Sequence, residues 1–430
     1  MRKELSAFSR QELSVFTEEI SSDYERYFNS GLKLDMSRGK PSPEQLDLGE
    51  DVLSSVTSST DCFSDTGIDC RNYGGFWGIS ELRDLFSEIL NIPSENILIG
   101  GNSSLTLMFD TVARAMLHGV AHSEQPWCKE EKISFICPVP GYDRHYRICE
   151  VLGIDMIPVP LNGDGPDMDL VEKIVSTDPT VKGMWIVPVY SNPTGDVYSV
   201  ENLSRLAKMP TKAKDFTLFV DNAYPLHTLD GTFVEPIDFF SLCNESGNPD
   251  RPIIFSSTSK ITFAAGGVSC IAMSRSNMDA ALPILQAQFI SHDKLNQLRH
   301  AKVFPDLESV KKRMLEHADI LAPKFRAVDQ ILHDRLDGYG VASWNKPSGG
   351  YFISLKVENH TAHRVVELCR NAGLVLTSAG AGFPHDFDPD DRYIRLAPSF
   401  PTCDELKSAA ELLSIAVLLA CCERLNGDIK

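Results

Sequence analysis

Short apolar runs punctuate the middle of the chain: "ISFICPV" (133–139), "MWIVPVY" (184–190), "TLFVDNAY" (217–224), "PIIFSST" (252–258) and "VSCIAM" (268–273). Their apolar cores are continuous rather than alternating with polar residues, which predicts strands buried on both faces. Between the first four lie stretches of helical period, such as "DMDLVEKIV" (167–175) and "SVENLSRLAKM" (199–209). Two more helices stand upstream, at "SELRDLFSEIL" (80–90) and "SLTLMFDTVARAML" (104–117). Alternating strands and helices predict an α/β domain with a mostly parallel sheet flanked by helices.

After about residue 305 the texture changes. A long helical pattern runs from Asp306 to Leu336. Short strands follow at "GGYFISL" (349–355), "LVLTSAG" (374–380) and "YIRLAP" (393–398), with helices at "TAHRVVELCRNAG" (361–373) and 402–425. Thr402 and Glu405 stand at capping-box spacing. The opening "MRKELSAFSRQELSVFTEEI" reads as an amphipathic helix without the apolar core of a signal peptide. The expected organisation is therefore 1–65 as an N-terminal segment joining a smaller α+β domain, 66–304 as the large domain, and 305–430 as the rest of the small one. No linker rich in Pro, Gly or Ser separates them.

Charge narrows the choice of partner. The formal charge of −18, from 41 basic and 59 acidic residues, disfavours nonspecific binding to nucleic acid or acidic membranes. It leaves room for a locally positive cleft. The 11 cysteines show neither CxxC spacing nor Cys/His clusters, as expected for reduced thiols in the cytoplasm, and Cys421 and Cys422 read as helix packing. "LLSIAVLLACC" (412–422) is too short to span a bilayer. No metal site is expected.

Chemistry gathers where the predicted strands end, the place ligands occupy in open α/β sheets. Tyr142, Asp143, Arg144 and His145 follow the first run, and "SNPTG" (191–195) follows the second. The third runs into Asp221, Asn222, Ala223 and Tyr224, and the fourth into a hydroxyl-rich stretch before Lys260. Singly, each has a structural reading. "VDNA" can cap a helix, Asn-Pro is a common turn, and "GNSS" is a loop with an N-cap. In this order, together, they point to one site.

These residues resemble the fold-type I pyridoxal-phosphate aminotransferases, the aspartate aminotransferase superfamily. The motifs "LDMSRGKPSPEQLDL", "RNYGGFWGISELR", "GNSSL", "CPVPGYDRHY", "NPTG", "DNAY", "STSKITFAAGGVS" and "YIRLAPSFP" span nearly the whole chain. They look closest to the bacterial aspartate aminotransferase subgroup related to MocR-like aminotransferase domains. The resemblance implies a seven-stranded-type sheet in the large domain. It also implies a homodimer with shared active sites and pyridoxal 5'-phosphate as cofactor.

By that resemblance Lys260 forms the internal aldimine and later moves protons at the substrate carbon. Asp221, with His145 a candidate to back it, faces the pyridine nitrogen. Tyr224 and Asn192 hydrogen-bond the ring's phenolic oxygen, and Tyr142 stacks on the ring. Asn102, Ser103, Ser104, Ser257, Thr258 and Ser259 supply phosphate ligands at the start of a helix. Tyr73 reaches the phosphate of the neighbouring subunit. Arg395 grips the substrate α-carboxylate, and Gly39 lets backbone approach the substrate. One departure stands out: where many relatives carry a phosphate-binding arginine, this chain has "FAAGGVS", with Gly266 and Gly267.

The expected reaction is transamination between aspartate and 2-oxoglutarate, giving oxaloacetate and glutamate. Arg144 is the candidate for the distal carboxylate, with Arg38 and Lys40 as substitutes. Other readings of Arg144 are a solvated helix-start charge or a neutraliser of the phosphate. Alternatives for the whole chain are an aromatic, kynurenine or alanine aminotransferase, or a β-lyase. A MocR-type effector-sensing domain would need a winged helix ahead of it, for which residues 1–33 are too few.

Overall fold

The structure, a computed structural model, describes residues 2–427. Seven strands form one sheet: β1 (Ile97–Ile99), β2 (Ser134–Val139), β3 (Asp155–Pro160), β4 (Val181–Ile186), β5 (Thr217–Asp221), β6 (Pro252–Ser257) and β7 (Ser269–Met273). Their order across the sheet is β1-β7-β6-β5-β4-β2-β3. β7 runs antiparallel to both its neighbours, and the remaining pairings are parallel. Helices cover both faces: Leu82, Phe86, Val171 and Leu206 pack on one, and Met108, Val112, Ile148 and Leu285 on the other.

Continuous apolar runs found the sheet's interior. β2, β4, β5, β6 and β7 are buried at every position. The patterning misses the two outer strands. β3 carries Pro158 and Pro160 and is largely exposed, as suits an edge that needs few donors, and β1 is only three residues long. β4 also starts ahead of its apolar run, at Val181. Lys182 is tolerated there because its ammonium pairs with Asp215 at 2.9 Å.

In the smaller part, Asp306 caps the helix Leu307–Leu336. Strands β8 (Ala342–Trp344), β9 (Ile353–Val357) and β10 (Tyr393–Leu396) form an antiparallel sheet of order β10-β9-β8. "LVLTSAG" forms strand only at Leu374–Val375, which pairs in parallel with Leu34–Asp35. Thr402 and Glu405 close the predicted capping box on helix Cys403–Asn426, whose stretch from Leu412 to Cys422 is buried throughout. A helix buried all round loses its polar face, hence the charge-free sequence. The N-terminal helix starts at Arg10, not at the chain's first residues. Ser9 and Glu12 box its end, and Leu5–Ala7 form a separate 3-10 turn. Its Leu13 and Ile20 share one apolar cluster with Val328, Leu332, Leu355 and Ala416. No helix among the described residues is long and apolar enough to cross a membrane, and every cysteine is a free thiol.

Candidate active site

The carboxyl ends of β2, β4, β5 and β6 open into a cleft of about 570 Å³. Its opposite wall comes from Ser37 to Lys40, Phe352, Leu376, Thr377 and Arg395, so the N-terminal segment and the C-terminal part together close what the sheet begins.

Lys260 sits just past β6, and its Nζ donates to the Gly39 carbonyl at 2.7 Å. It lies 4.7 Å from the centre of the Tyr351 ring. It lines the cleft, and burial pushes the pKa of its ammonium down to about 8. Gly39 has to be glycine: a Cβ there would meet Phe352 Cζ at 2.5 Å. A lysine so poised is close to being a neutral nucleophile.

Asp221 ends β5 and is buried. Its Oδ2 bonds His145 Nε2 at 3.0 Å, while Oδ1 is buried with no partner. His145 is fixed in turn by Trp185, whose ring stacks on it at 4.3 Å, and by the edge of Tyr142 at 5.0 Å. An unpaired buried carboxylate oxygen is costly unless a donor arrives to meet it. Tyr224 is buried nearby. Burial, with Tyr142 and Asp221 adding to it, raises its phenol well above the usual range, so it stays a donor. Tyr142 is raised in the same way, by burial and then by Asp221 and Asp143.

Arg395 on β10 reaches across to the sheet side. Its Nη1 donates to Asp143 Oδ1 at 3.0 Å and to Asn192 Oδ1 at 3.3 Å, and Phe352 lies under its guanidinium at 5.0 Å. Arg395 Nε is buried and unpartnered. Asn192 thereby turns its oxygen to the arginine and keeps its amide N–H groups for the cleft. Arg144 lines the same cleft, half-exposed, with Nε 4.0 Å from the other oxygen of Asp143. Asp143 therefore stands between two arginines.

Hydroxyls gather at the far end: Ser103, Ser104, Ser257 and Ser259 line the cleft beside the first turn of helix Ser104–His118. Two hydroxyl-region candidates point elsewhere. The Asn102 amide donates to the Ala265 carbonyl at 2.8 Å, and buried Thr258 Oγ1 accepts from Val268 N at 2.9 Å. Neither lines the cleft, because each is used to brace a neighbouring loop. Tyr73 does not line this cleft either; it is 80% exposed. At Gly267 a Cβ would come within 3.0 Å of the Ser259 backbone nitrogen, so this position is crowded, whereas at Gly266 the nearest atom, Phe263 Cβ, is 3.4 Å away.

Lys260, Asp221, Tyr224, Tyr142, Asn192, Gly39, Arg144, Arg395 and the four serines thus share one space. Sequence reasoning missed Asp143, Trp185, Tyr351 and Phe352. Asp143 was visible as an acid beside Arg144, but nothing local announces its bond to Arg395. The donor set fits pyridoxal phosphate. The orphaned Asp221 oxygen suits a protonated ring nitrogen, the serines and helix end suit a phosphate, and Lys260 suits a carbonyl carbon.

The sheet order and the cleft at its carboxyl end are those of the aspartate aminotransferase fold, the fold-type I class. The chain belongs to the aspartate amino-transferase family, whose model matches residues 8–429. It is 46% identical over 419 residues to the aspartate aminotransferase of Corynebacterium glutamicum, spanning 97% of this chain and 96% of that one. The crystal structure of an aspartate transaminase from Corynebacterium glutamicum superposes with a TM-score of 0.96 at 46% identity, over 99% of this chain and 100% of that one. The α-aminoadipate aminotransferase of Thermus thermophilus, complexed with N-(5'-phosphopyridoxyl)-L-leucine, shares the fold at 18% identity and a TM-score of 0.73, covering 94% and 95%.

Proposed function

We propose that the protein is a pyridoxal-phosphate-dependent aminotransferase that exchanges the amino group of aspartate with 2-oxoglutarate. The carrying observation is the pair formed by Lys260, its pKa pushed down to about 8, and Asp221, whose Oδ1 is buried and unpaired in the same cleft. Bound there, pyridoxal phosphate would supply the electron sink for charge developing at the substrate Cα.

The chain's own groups do the rest. Asp221, steadied by His145, would hold a proton on the ring nitrogen. Tyr224 and the Asn192 amide would donate to the phenolic oxygen, and Tyr142 would pack against the ring. Ser103, Ser104, Ser257, Ser259 and the helix end would hold the phosphate. The free Lys260 amine would be the base that takes the proton from the substrate Cα and the acid that gives it back. Arg395 holds the α-carboxylate, displacing or sharing its bond to Asp143, and Arg144 takes the distal carboxylate. That second cation favours dicarboxylic over aromatic donors.

We keep the division 1–65, 66–304 and 305–430 as a reading: Leu13, Ile20 and Leu34 share a cluster with Leu355 and Ala416, while Val52, Val310 and Met314 pack with the large sheet's cluster; Met1 and residues 428–430 lie outside the described residues. We further read the working unit as a cytoplasmic homodimer. The exposed Tyr73, on a loop with positive φ at Gly74 and Gly75, would serve the partner's phosphate. Mixing Lys260→Ala chains with Tyr73→Phe, Arg395→Ala chains tests that sharing. If Tyr73 crosses over, one site of the mixed dimer should lack both the lysine and Tyr73 and the other only Arg395; without crossing, one site lacks only the lysine and the other both Tyr73 and Arg395.

For the reaction itself, a panel of amino donors is offered with 2-oxoglutarate, and borohydride-reduced protein is mapped by peptide. Aspartate should lead the panel, and the pyridoxyl label should sit on Lys260. A label on another lysine overturns the assignment.

A further inference from the structure

Three segments that surround Lys260 meet at one buried histidine outside the cleft. His317 lies on helix Leu307–Leu336, and its Nε2 is 2.9 Å from the carbonyl of Ile261, the residue after Lys260. Its Nδ1 is 3.0 Å from Gln45 Nε2. The same Gln45 nitrogen donates to the Tyr351 hydroxyl at 2.9 Å, and the Tyr351 ring underlies the Lys260 ammonium. All of these groups except Lys260 itself are buried.

The partners fix the protons on Gln45 and His317. Gln45 Oε1 accepts the Ser42 N–H at 3.1 Å, so the amide group of Gln45 must face His317 and Tyr351 as a donor. His317 Nδ1 is then an acceptor. The Ile261 carbonyl can only accept, so Nε2 carries the hydrogen. His317 is therefore the neutral Nε2–H tautomer, and burial, its largest influence, lowers its pKa in the same sense. Arg313 and Glu316 face it from its own helix, and His227 and Tyr351 lie on the Lys260 side.

We propose that His317 is a positioning residue for Lys260, locking the lysine loop, the Gly39 segment and Tyr351 into one register through its Ile261 and Gln45 bonds. The segment that Gln45 anchors is the one whose Gly39 carbonyl accepts from Lys260 Nζ. A shift in any of the three would move that nitrogen relative to Arg395 and Asp221. The inference rests on Lys260 being the reacting amine, as proposed above.

Two variants of modest size separate the bonds. His317→Gln keeps a donor where Nε2 stood, facing Ile261. His317→Asn keeps only an acceptor where Nδ1 stood. Each is measured in the full chain, with and without pyridoxal phosphate, by amide hydrogen exchange of residues 258–263 and by steady-state kinetics. In His317→Asn, exchange at Ile261 and Thr262 should quicken about 10-fold. Its kcat should fall about 10- to 100-fold while the KM for the amino donor stays within about threefold, because misplacement rather than binding is at fault. His317→Gln should recover most of both. Wild-type exchange and kcat in His317→Asn, or equal damage in the two variants, overturns the proposal. The exchange reading without cofactor does not depend on Lys260 chemistry, so it separates this failure from failure of the functional reading.

Discussion

The two ends of the large sheet each hold a lysine and a buried aspartate, and they treat them in opposite ways. At the amino end, Asp215 accepts from Lys182 at 2.9 Å, from Ser123 at 2.8 Å and from Trp127 Nε1 at 2.9 Å. Burial alone would raise the Asp215 carboxyl, yet these three bonds outweigh it and hold the group below the usual range. At the carboxyl end, Asp221 leaves an oxygen unpaired and Lys260 faces a carbonyl instead of a carboxylate. The amino-end cavity is the larger, about 1000 Å³ against about 570 Å³. Size does not mark the chemistry here. What distinguishes the working end is that Asp221 Oδ1 and Arg395 Nε are left unmatched, which costs stability and is repaid only when a ligand binds.

Substitutions at the two ends sharpen that contrast. Lys260→Ala should lower turnover by about 10⁴-fold or more and abolish covalent cofactor retention, with little loss of Tm. Retained turnover would end the comparison. Asp215→Ala should do the reverse. Removing one partner of a buried ion pair costs about 3–5 kcal/mol of folding stability, read by denaturant melts, while kcat stays near wild type.

Arg395→Ala should cost about 3 kcal/mol in kcat/KM on every amino donor, since all share the α-carboxylate. Near-normal kcat/KM would remove Arg395 from substrate binding. A smaller and selective loss is expected for Arg144→Ala: about 1–3 kcal/mol on aspartate and glutamate, with alanine spared. Equal losses on all donors, with weaker cofactor retention, would assign Arg144 to the phosphate.

The gentlest test is pH. Lys260 falls from its ordinary 10.5 to about 8 in the folded, cofactor-free protein. Between those values the unfolded chain binds the extra proton, so stability should rise as pH climbs through the window, and Lys260→Met should flatten that slope. Asp215 gives the acid limb, with a slope of the same sign. Its contribution is present above the ordinary carboxylate value of 3.8 and is lost as pH falls through its lowered folded value. Thermal melts of the two variants across pH separate the limbs.

Much of this was legible in the sequence because strands buried on both faces must be continuously apolar, and because chemistry collects where such strands end. "TLFVD" and "PIIFSS" announce β5 and β6, and Asp221 and Lys260 follow within a few residues of each. Edge strand β3 stayed hidden, since exposure relaxes the apolar requirement and its prolines resemble a loop. Asn102 and Thr258 looked equivalent to the neighbouring serines. Hydroxyls and amides in a loop can brace backbone as readily as bind phosphate, and only their partners separate the uses.

The sequence by itself determined the sheet's interior strands, the class of chemistry and the positions of its lysine, aspartate and arginine. The strands depend on local burial, which a short window carries; the chemistry and its candidate residues rest on the order of motifs that resembles the aminotransferases. Only the tertiary structure decided that Asp143 stands between Arg144 and Arg395, that Asp221 keeps one oxygen unpaired, and that His317 ties Gln45 to the lysine loop. Each of those facts joins groups far apart in the chain. A hydrogen bond is specified by distance and direction in space, and the intervening sequence carries neither.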